Sequence, residues 1–292
     1  MNTAKKTFRE LLMAPEILVL PGVYDAFSAK LAEKAKFNGV IMGGYQVAAS
    51  MLGQPDVGYL TLTEMTFTLR KICKAVKIPV VSDGDTGYGN AMNVRLMVQE
   101  YEHAGTAAIL LEDQEWPKKC GHMEGKKVIP REEHAMKIKA AVEAKCDPDL
   151  VIIARTDARA VNGLDDALNR AKAYAEAGAD MLFVEAPQTL GELKRVVEVL
   201  SPLGKPLLAN MVEHGKTPGL TAKTLEEIGF SAVVFPVSAM YTISKSLMEL
   251  WATLKENGTT AAMEGQMMSF TEFNKMIGLP EYNQLEKNYK VI

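Results

Sequence analysis

Ala107-Ala-Ile-Leu-Leu-Glu-Asp-Gln-Glu-Trp-Pro-Lys-Lys-Cys-Gly-His-Met-Glu-Gly125 carries both halves of a recurring plan: an apolar run, then a polar loop. The unbroken apolar run Ala107–Leu111 reads as a buried strand, so Glu112 and Asp113 stand at a strand end. The loop after them holds two lysines, a cysteine and a histidine within five positions, 118–122. Gly121 and Gly125 let such a loop bend or move. The lysines flanking Cys120 favour a thiolate and predict a lowered pKa for it. A thiol in that setting can take or give a proton during chemistry. An ordinary solvated loop is the bland alternative, and the rest of the chain decides between them.

Outward from that stretch the same unit repeats. Short runs rich in Val, Ile and Leu fall at Ile17–Leu20, Gly39–Met42, Pro79–Ser82, Ala107–Leu111, Leu150–Ala154, Met181–Val184, Pro206–Ala209 and Ala232–Phe235. Most are continuous rather than alternating, as in parallel strands covered on both faces. Amphipathic stretches at Thr63–Val76, Met92–Ala104, Arg131–Lys145 and Leu164–Ala177 separate several of them, and Gly105 and Gly178 stop two of these helices. Eight βα units predict an α/β protein, a single-domain (β/α)8 TIM barrel spanning residues 1–256. A doubly wound open sheet is the alternative, but no strand leads into Gly-x-Gly-x-x-Gly. Ser238–Glu256 reads as one long helix. Residues 257–292 form a C-terminal helical extension too short for a domain, packing on the barrel or on a partner subunit.

Composition narrows the function classes. A net charge of −3 offers no global field for nucleic acid or membrane. No apolar run approaches the roughly 20 residues that span a bilayer. Residues Met1–Met13 carry charges where a secretion signal would be apolar, so a cytoplasmic location is the expectation. Cys73, Cys120 and Cys146 are odd in number and form no Cys-x-x-Cys, which excludes a disulfide framework and a structural zinc site. Cys73 reads as a small core residue and Cys146 as structural.

Barrels place their chemistry at the C-terminal strand ends. Those positions hold Gly43, Gly44, Tyr45 and then Asp56; Asp83 and Asp85; Glu112 and Asp113; Arg155 and Asp157; Glu185; Asn210 with Glu213 beyond; and Pro236 with Ser238. Carboxylates converging on one mouth repel one another unless a cation sits among them. Oxygen-only ligands suit Mg²⁺, or Mn²⁺, rather than zinc. Arg155 can grip a substrate carboxylate bidentately, or else pair with Asp157 or Glu185. Of the histidines, His103 reads as partly buried, His134 as a residue of a solvated helix start, and His122 as a neighbour that tunes Cys120. Trp116 reads as a loop anchor.

Lys118-Lys-Cys-Gly-His122, with Asp83-Gly-Asp85 before it and Ile153-Ala-Arg-Thr-Asp157 after it, resembles the isocitrate lyase/phosphoenolpyruvate mutase superfamily. The resemblance runs from Pro21-Gly-Val-Tyr-Asp25 to Phe235-Pro-Val-Ser-Ala239 and leans toward the short lyases for 2-methylisocitrate and 2,3-dimethylmalate. It implies a barrel whose last helix is swapped between subunits, in a homotetramer. It implies that Asp83, Asp85 and Glu112 hold Mg²⁺, that Cys120, Lys118 and Asp56 are catalytic, and that Gly43, Gly44 and Tyr45 cradle a substrate carboxylate. Gly121, His122, Arg155, Glu185 and Asn210 are then the remaining residues around a small carboxylate substrate.

The activity so implied is a retro-Claisen cleavage of a substituted 2-hydroxy dicarboxylate to pyruvate or another 2-oxo acid, with Cys120 protonating the carbanion. The superfamily's phosphonopyruvate mutases and hydrolases lack a cysteine at this loop position, which sets them second; a non-catalytic metabolite-binding barrel is third. Two departures stand out. Val40-Ile-Met-Gly-Gly-Tyr45 lacks the Tyr-Leu-Ser-Gly-Gly frequent in methylisocitrate lyases, and Pro236 replaces a serine expected of oxaloacetate hydrolases.

Overall fold

The computed structural model describes residues 7–290. Eight parallel strands close into a barrel in sequence order: β1 (Leu18–Val23), β2 (Val40–Met42), β3 (Val80–Asp83), β4 (Ala108–Glu112), β5 (Val151–Thr156), β6 (Met181–Val184), β7 (Leu207–Asn210) and β8 (Ala232–Phe235). Pairing of β1 with β8, Leu18 opposite Ala232 through Pro21 opposite Phe235, closes the ring. The single-domain (β/α)8 reading therefore holds, and the open sheet is excluded. Two strands run clearly further than their sequence suggests: β5 ends at Thr156 rather than Ala154, and β1 at Val23 rather than Leu20. Pro21-Gly22 looks like a turn, yet β1 continues through it because β8 pairs with Pro21 and β2 with Gly22 and Val23.

Two apolar clusters follow the pleat. Leu18, Leu20, Ile41, Val81, Ala108, Leu110, Val151, Ile153, Met181, Phe183, Leu208, Ala232 and Val234 pack in one, with Phe8 and Leu12 of the helix Phe8–Leu12 joining them. Their alternates, such as Ile109, Leu111, Ile152 and Ala154, join the helices in the other. Successive strand residues face opposite sides, so the first cluster is the barrel interior and the second the layer between strands and helices. Carried two residues on, the inward register of each strand reaches Gly22, Gly43, Asp83, Glu112, Arg155, Glu185, Asn210 and Pro236 in turn.

The covering helices match their expected spans: Leu62–Ala75, Ala91–Ala104, Arg131–Ala144 and Leu164–Glu176. Gly105 ends the second in the left-handed region at φ 98°, where glycine carries no Cβ penalty. Cys73 is half-buried against the core, whereas Cys146, read as structural, is exposed. Two histidine readings fail. His103 is exposed, its ring bonded to the Gln99 carbonyl, because the helix turns that face outward. His134 is fully buried, edge-on to Tyr174 with ring centroids 4.6 Å apart, and burial pushes its pKa down to about 3.

Contacts divide the chain into one compact unit ending at Met240 and another beginning at Tyr241. The second comprises most of the helix Ser238–Asn257, a 3₁₀ segment Ala261–Gln266, and the helices Phe270–Met276 and Leu279–Tyr289. No residue of these elements is buried, although Trp251 and Phe270 are 56% and 85% exposed apolar side chains. Among the described residues no helix is long and apolar enough to cross a membrane.

Among the described glycines the closest approach is at Gly22, where a Cβ would lie 1.9 Å from the Pro236 carbonyl oxygen. Backbone cannot yield as a side-chain tip does. Gly22→Ala is expected to lower stability by roughly 1–3 kcal/mol or more, read as a fall in the denaturant midpoint at unchanged m-value.

Candidate active site

The pleat separates the two acids that the sequence places side by side. Glu112 continues the inward register of Ala108 and Leu110 and reaches the mouth. Asp113 points into the outer layer, which corrects its place in the acidic ring. It accepts from Thr156 Oγ1 at 2.8 Å, from the Asp157 backbone N–H at 2.8 Å, from Tyr174 Oη at 2.8 Å and from Arg170 at 3.2 Å. That network ties the ends of β4 and β5 to the helix Leu164–Glu176. Breaking a buried charged pair of this kind costs about 3–5 kcal/mol.

Asp83 and Asp85 are aimed by the glycine between them. A Cβ on Gly84 would lie 2.8 Å from the Leu110 carbonyl oxygen, so only glycine lets β3 turn this close to β4. Asp85 then sits in the left-handed region at φ 47°, an uncommon conformation for a residue with a side chain. Asp83 accepts from its N–H at 2.9 Å and from the Gly44 N–H at 3.0 Å. Gly44 opens the helix Gly44–Leu52, whose N-terminal partial charge favours an anion. The amide expected to cradle substrate is thus engaged by Asp83. Gly43 caps the same helix, and Tyr45 beside it is half-buried.

Two side-chain cations balance these acids. Lys118 Nζ lies 2.7 Å from Asp56 Oδ2 and 2.6 Å from Asp85 Oδ1, all three buried. Burial works against the ammonium, but Asp85, Asp56, Glu112 and Asp83 outweigh it and hold the lysine well above its ordinary pKa. Arg155 meets Glu112 through Nη1 at 3.2 Å, Glu185 through Nη2 at 3.2 Å and Asp157 through Nε at 2.8 Å. Of the two readings of Arg155, the pairing with Asp157 and Glu185 is the one the structure shows, with Glu112 as a third partner. Burial raises Glu112 well above the usual range, and Arg155 and Lys118 only partly offset it. Glu185 goes the other way, down to about 2: Arg155 and His122 overcome its burial. Asn210 Nδ2 donates to it at 3.3 Å.

The loop docks on this cluster. Gln114 clamps the Lys119 peptide, donating to its carbonyl at 2.8 Å and accepting its N–H at 3.0 Å. Trp116, the expected anchor, is exposed; a Cβ on Gly58 would lie 3.0 Å from its ring, and its peptide to Pro117 is cis. Gly121 presses on Arg155 and Glu185: a Cβ there would lie 2.5 Å from Nη2 and 2.6 Å from the Glu185 carboxyl carbon. His122 Nδ1 accepts the Lys216 N–H at 3.0 Å, leaving Nε2 to face Glu185 at 3.3 Å.

Cys120 overturns its expected acidity. Burial pushes the thiol up to about 11; the His122 backbone N–H and Arg155 favour the thiolate, while Asp56 and Glu185 oppose it. Lys118 does not help the thiolate as expected because Asp56 and Asp85 already engage its charge.

The metal reading meets a mixed result. Among the described residues no three His, Cys, Asp or Glu side chains stand close enough to hold an ion, because Lys118 lies against Asp85 and Asp83 faces backbone amides. The donor chemistry nonetheless fits a hard cation. Glu112 Oε1 is buried with no hydrogen-bond partner, and Mg²⁺ binds through one or two carboxylates while keeping its waters.

Comparison with known proteins bears on the same residues. A model of the phosphoenolpyruvate phosphomutase family matches residues 8–254. The chain belongs to that family. Its family relatives include 2,3-dimethylmalate lyase of Eubacterium barkeri, 47% identical over 99% of both chains. They also include 2-methylisocitrate lyase of Halalkalibacterium halodurans, 41% identical over 96% of this chain and 92% of the other. A crystal structure of 2,3-dimethylmalate lyase, described as a member of the PEP mutase/isocitrate lyase superfamily, superposes with a TM-score of 0.91 at 35% identity, covering 99% of this chain and 96% of that one. The superfamily resemblance read from the sequence is therefore correct.

Sequence reasoning passed over two residues of the mouth. Gln46 is buried with neither amide atom hydrogen bonded, filling the space over Gly22 and Gly43 that their missing Cβ atoms leave. Lys126 reaches back under the loop to Asp157. Its Gly125-Lys126 placement just past the loop was the one available signal.

Burial raises the folded Asp85 carboxyl from 3.8 to about 6, with Asp83 and Asp56 adding to the rise and Lys118 resisting it. A raised carboxyl lends stability that is full below its unfolded pKa and lost as pH rises through the folded one. Cation-free protein should melt at a lower temperature at pH 7.5 than at pH 5. The drop should shrink in Asp85→Asn, as calorimetry in a chelating buffer would show.

Proposed function

We propose that this chain is a Mg²⁺-dependent carbon–carbon lyase that cleaves a substituted 2-hydroxy dicarboxylate to a 2-oxo acid and a carboxylic acid. 2,3-Dimethylmalate, 2-methylisocitrate and simpler 2-alkylmalates are the candidates, with pyruvate the expected oxo acid. One observation carries the reading: a half-buried thiol, kept protonated at neutral pH by desolvation, on a glycine-bearing loop docked over Arg155 and Glu185. Such a group is a proton donor rather than a nucleophile. The lyase names of the relatives point the same way.

Asp83, Asp85 and Glu112 are the residues that would hold the cation. When bound, it lowers the pKa of the 2-hydroxyl and offsets the charge of the neighbouring carboxylate. Arg155 exchanges one of its protein carboxylates for a carboxylate of the substrate. Asp56, held in place by the Lys118 ammonium, accepts the hydroxyl proton. The electrons of the broken C2–C3 bond pass to C3 and its carboxylate, and Cys120 Sγ–H delivers a proton to C3. His122 and Asn210 keep Glu185 charged and in place beneath the loop, and loop closure excludes water.

The same reading takes in the assembly. Apolar side chains left exposed along Ser238–Asn257 and the helices after it suit burial against a second copy. A helix-swapped homotetramer is the form proposed, with 257–292 packing on the barrel or a partner. Three free cysteines suit a reducing, cytoplasmic setting.

A coupled assay for 2-oxo acid release across the three acids, with Mg²⁺ or with EDTA, tests the activity. Release from none of them sinks it. Cys120→Ser should lower turnover by about 10²–10⁴-fold while diacid binding by calorimetry stays near wild type. Asp85→Ala should weaken the Mg²⁺ titration and turnover together; an unchanged titration removes Asp85 from the cation site.

A further inference from the structure

We propose that Lys126 is a positioning residue, a buried latch that fixes the closed loop to the aspartate that orients Arg155. Its side chain is almost wholly buried, and its Nζ lies 2.8 Å from Asp157 Oδ1. The same ammonium donates to the Gly121 carbonyl, next in the chain after Cys120. Asp157 in turn takes Arg155 Nε on Oδ2 at 2.8 Å and Nη2 on Oδ1 at 3.1 Å. One lysine therefore bridges the main chain beside the thiol and the carboxylate that sets the arginine.

The loop is built so that this bridge spans a fixed part and a movable one. Behind Lys126, Val128 pairs with Gln114 and the Lys127 carbonyl accepts the Glu115 N–H at 2.9 Å, which anchors the base. Gly125, in the left-handed region at φ 72°, turns the chain so that Lys126 points back beneath the tip. The tip, Cys120-Gly121-His122, packs on Arg155 and Glu185 without a side chain at 121. Lifting the tip takes the Gly121 carbonyl away from a buried ammonium, which then keeps only Asp157. Burying an ion with fewer partners is costly, so the latch favours the closed loop and Arg155's orientation together.

Lys126→Met keeps the aliphatic stem and removes the charge, and Asp157 retains Arg155. The first measurement is alkylation by iodoacetamide, followed at each cysteine by peptide mass spectrometry. Half-buried Cys73 serves as the internal control and exposed Cys146 as the reagent reference. Cys120 should react at least about 10-fold faster in Lys126→Met than in wild type, with Cys73 unchanged. Lys126→Arg, which keeps a cation in place, should restore most of the protection. The second measurement rests on the lyase reading: kcat should fall about 10²-fold, as misplacement of a catalytic group by about 1 Å does, with KM changing less. Equal alkylation of Cys120 in wild type and Lys126→Met overturns the proposal, as does a matching rise at Cys73. Inactivity of wild type on every acid would count against the lyase reading, and the alkylation rates would still decide the latch.

Discussion

Along β4 the pleat turns Glu112 toward the barrel axis and Asp113 away from it, and the same two-residue alternation sets which strand-end side chains reach the mouth. Each strand that buries an apolar side chain inside the barrel presents its next inward residue at the mouth. On β3 to β7 those residues are Asp83, Glu112, Arg155, Glu185 and Asn210, all able to carry or share charge. On β1, β2 and β8 they are Gly22, Gly43 and Pro236, which leave room that Gln46 occupies. One flank of the mouth is therefore electrostatic and the other steric, a division set by register before any loop is placed.

Burial raises the stakes of that arrangement. Carboxylates and cations removed from water lose hydration and must find one another. Lys118 binds Asp56 and Asp85; Arg155 binds Glu112, Asp157 and Glu185; Lys126 shares Asp157. The balance is uneven, and the unevenness is chemically useful. Glu185, beside Arg155 and His122, is held low despite its burial, whereas Glu112 and Asp85 are pushed up by burial and by neighbouring acids. Groups held apart in this way are suited to different tasks: one stays charged as a scaffold, and the others gain most from an added cation.

The loop joins this charge balance rather than merely covering it. Its lysine, its glycine and its histidine each meet a residue from a different strand end or the loop beyond it. Docked, the loop half-buries Cys120, and that desolvation, not the nearby lysines, sets the thiol's acidity. A lid that made the thiol more acidic would favour nucleophilic chemistry; this one preserves the proton.

Much was legible in the chain before folding. Continuous apolar runs and glycine stops gave the strands, the helices and the barrel, since these depend on local periodicity and on turns that only glycine makes easily. The Lys-Lys-Cys-Gly-His run and the Asp-Gly-Asp pair marked the mouth. What local pattern cannot hold is which charges face one another. The pairing of Lys118 with Asp56 and Asp85, the outward turn of Asp113, the burial of His134, the unpartnered amide of Gln46 and the reach of Lys126 join residues far apart in sequence. By itself the sequence determined the ring of strands and the residue types at its mouth, because those follow from neighbours along the chain. Only the tertiary structure decided protonation and partnership, because both depend on how completely water is excluded and on which opposite charge lies within about 3 Å once it is.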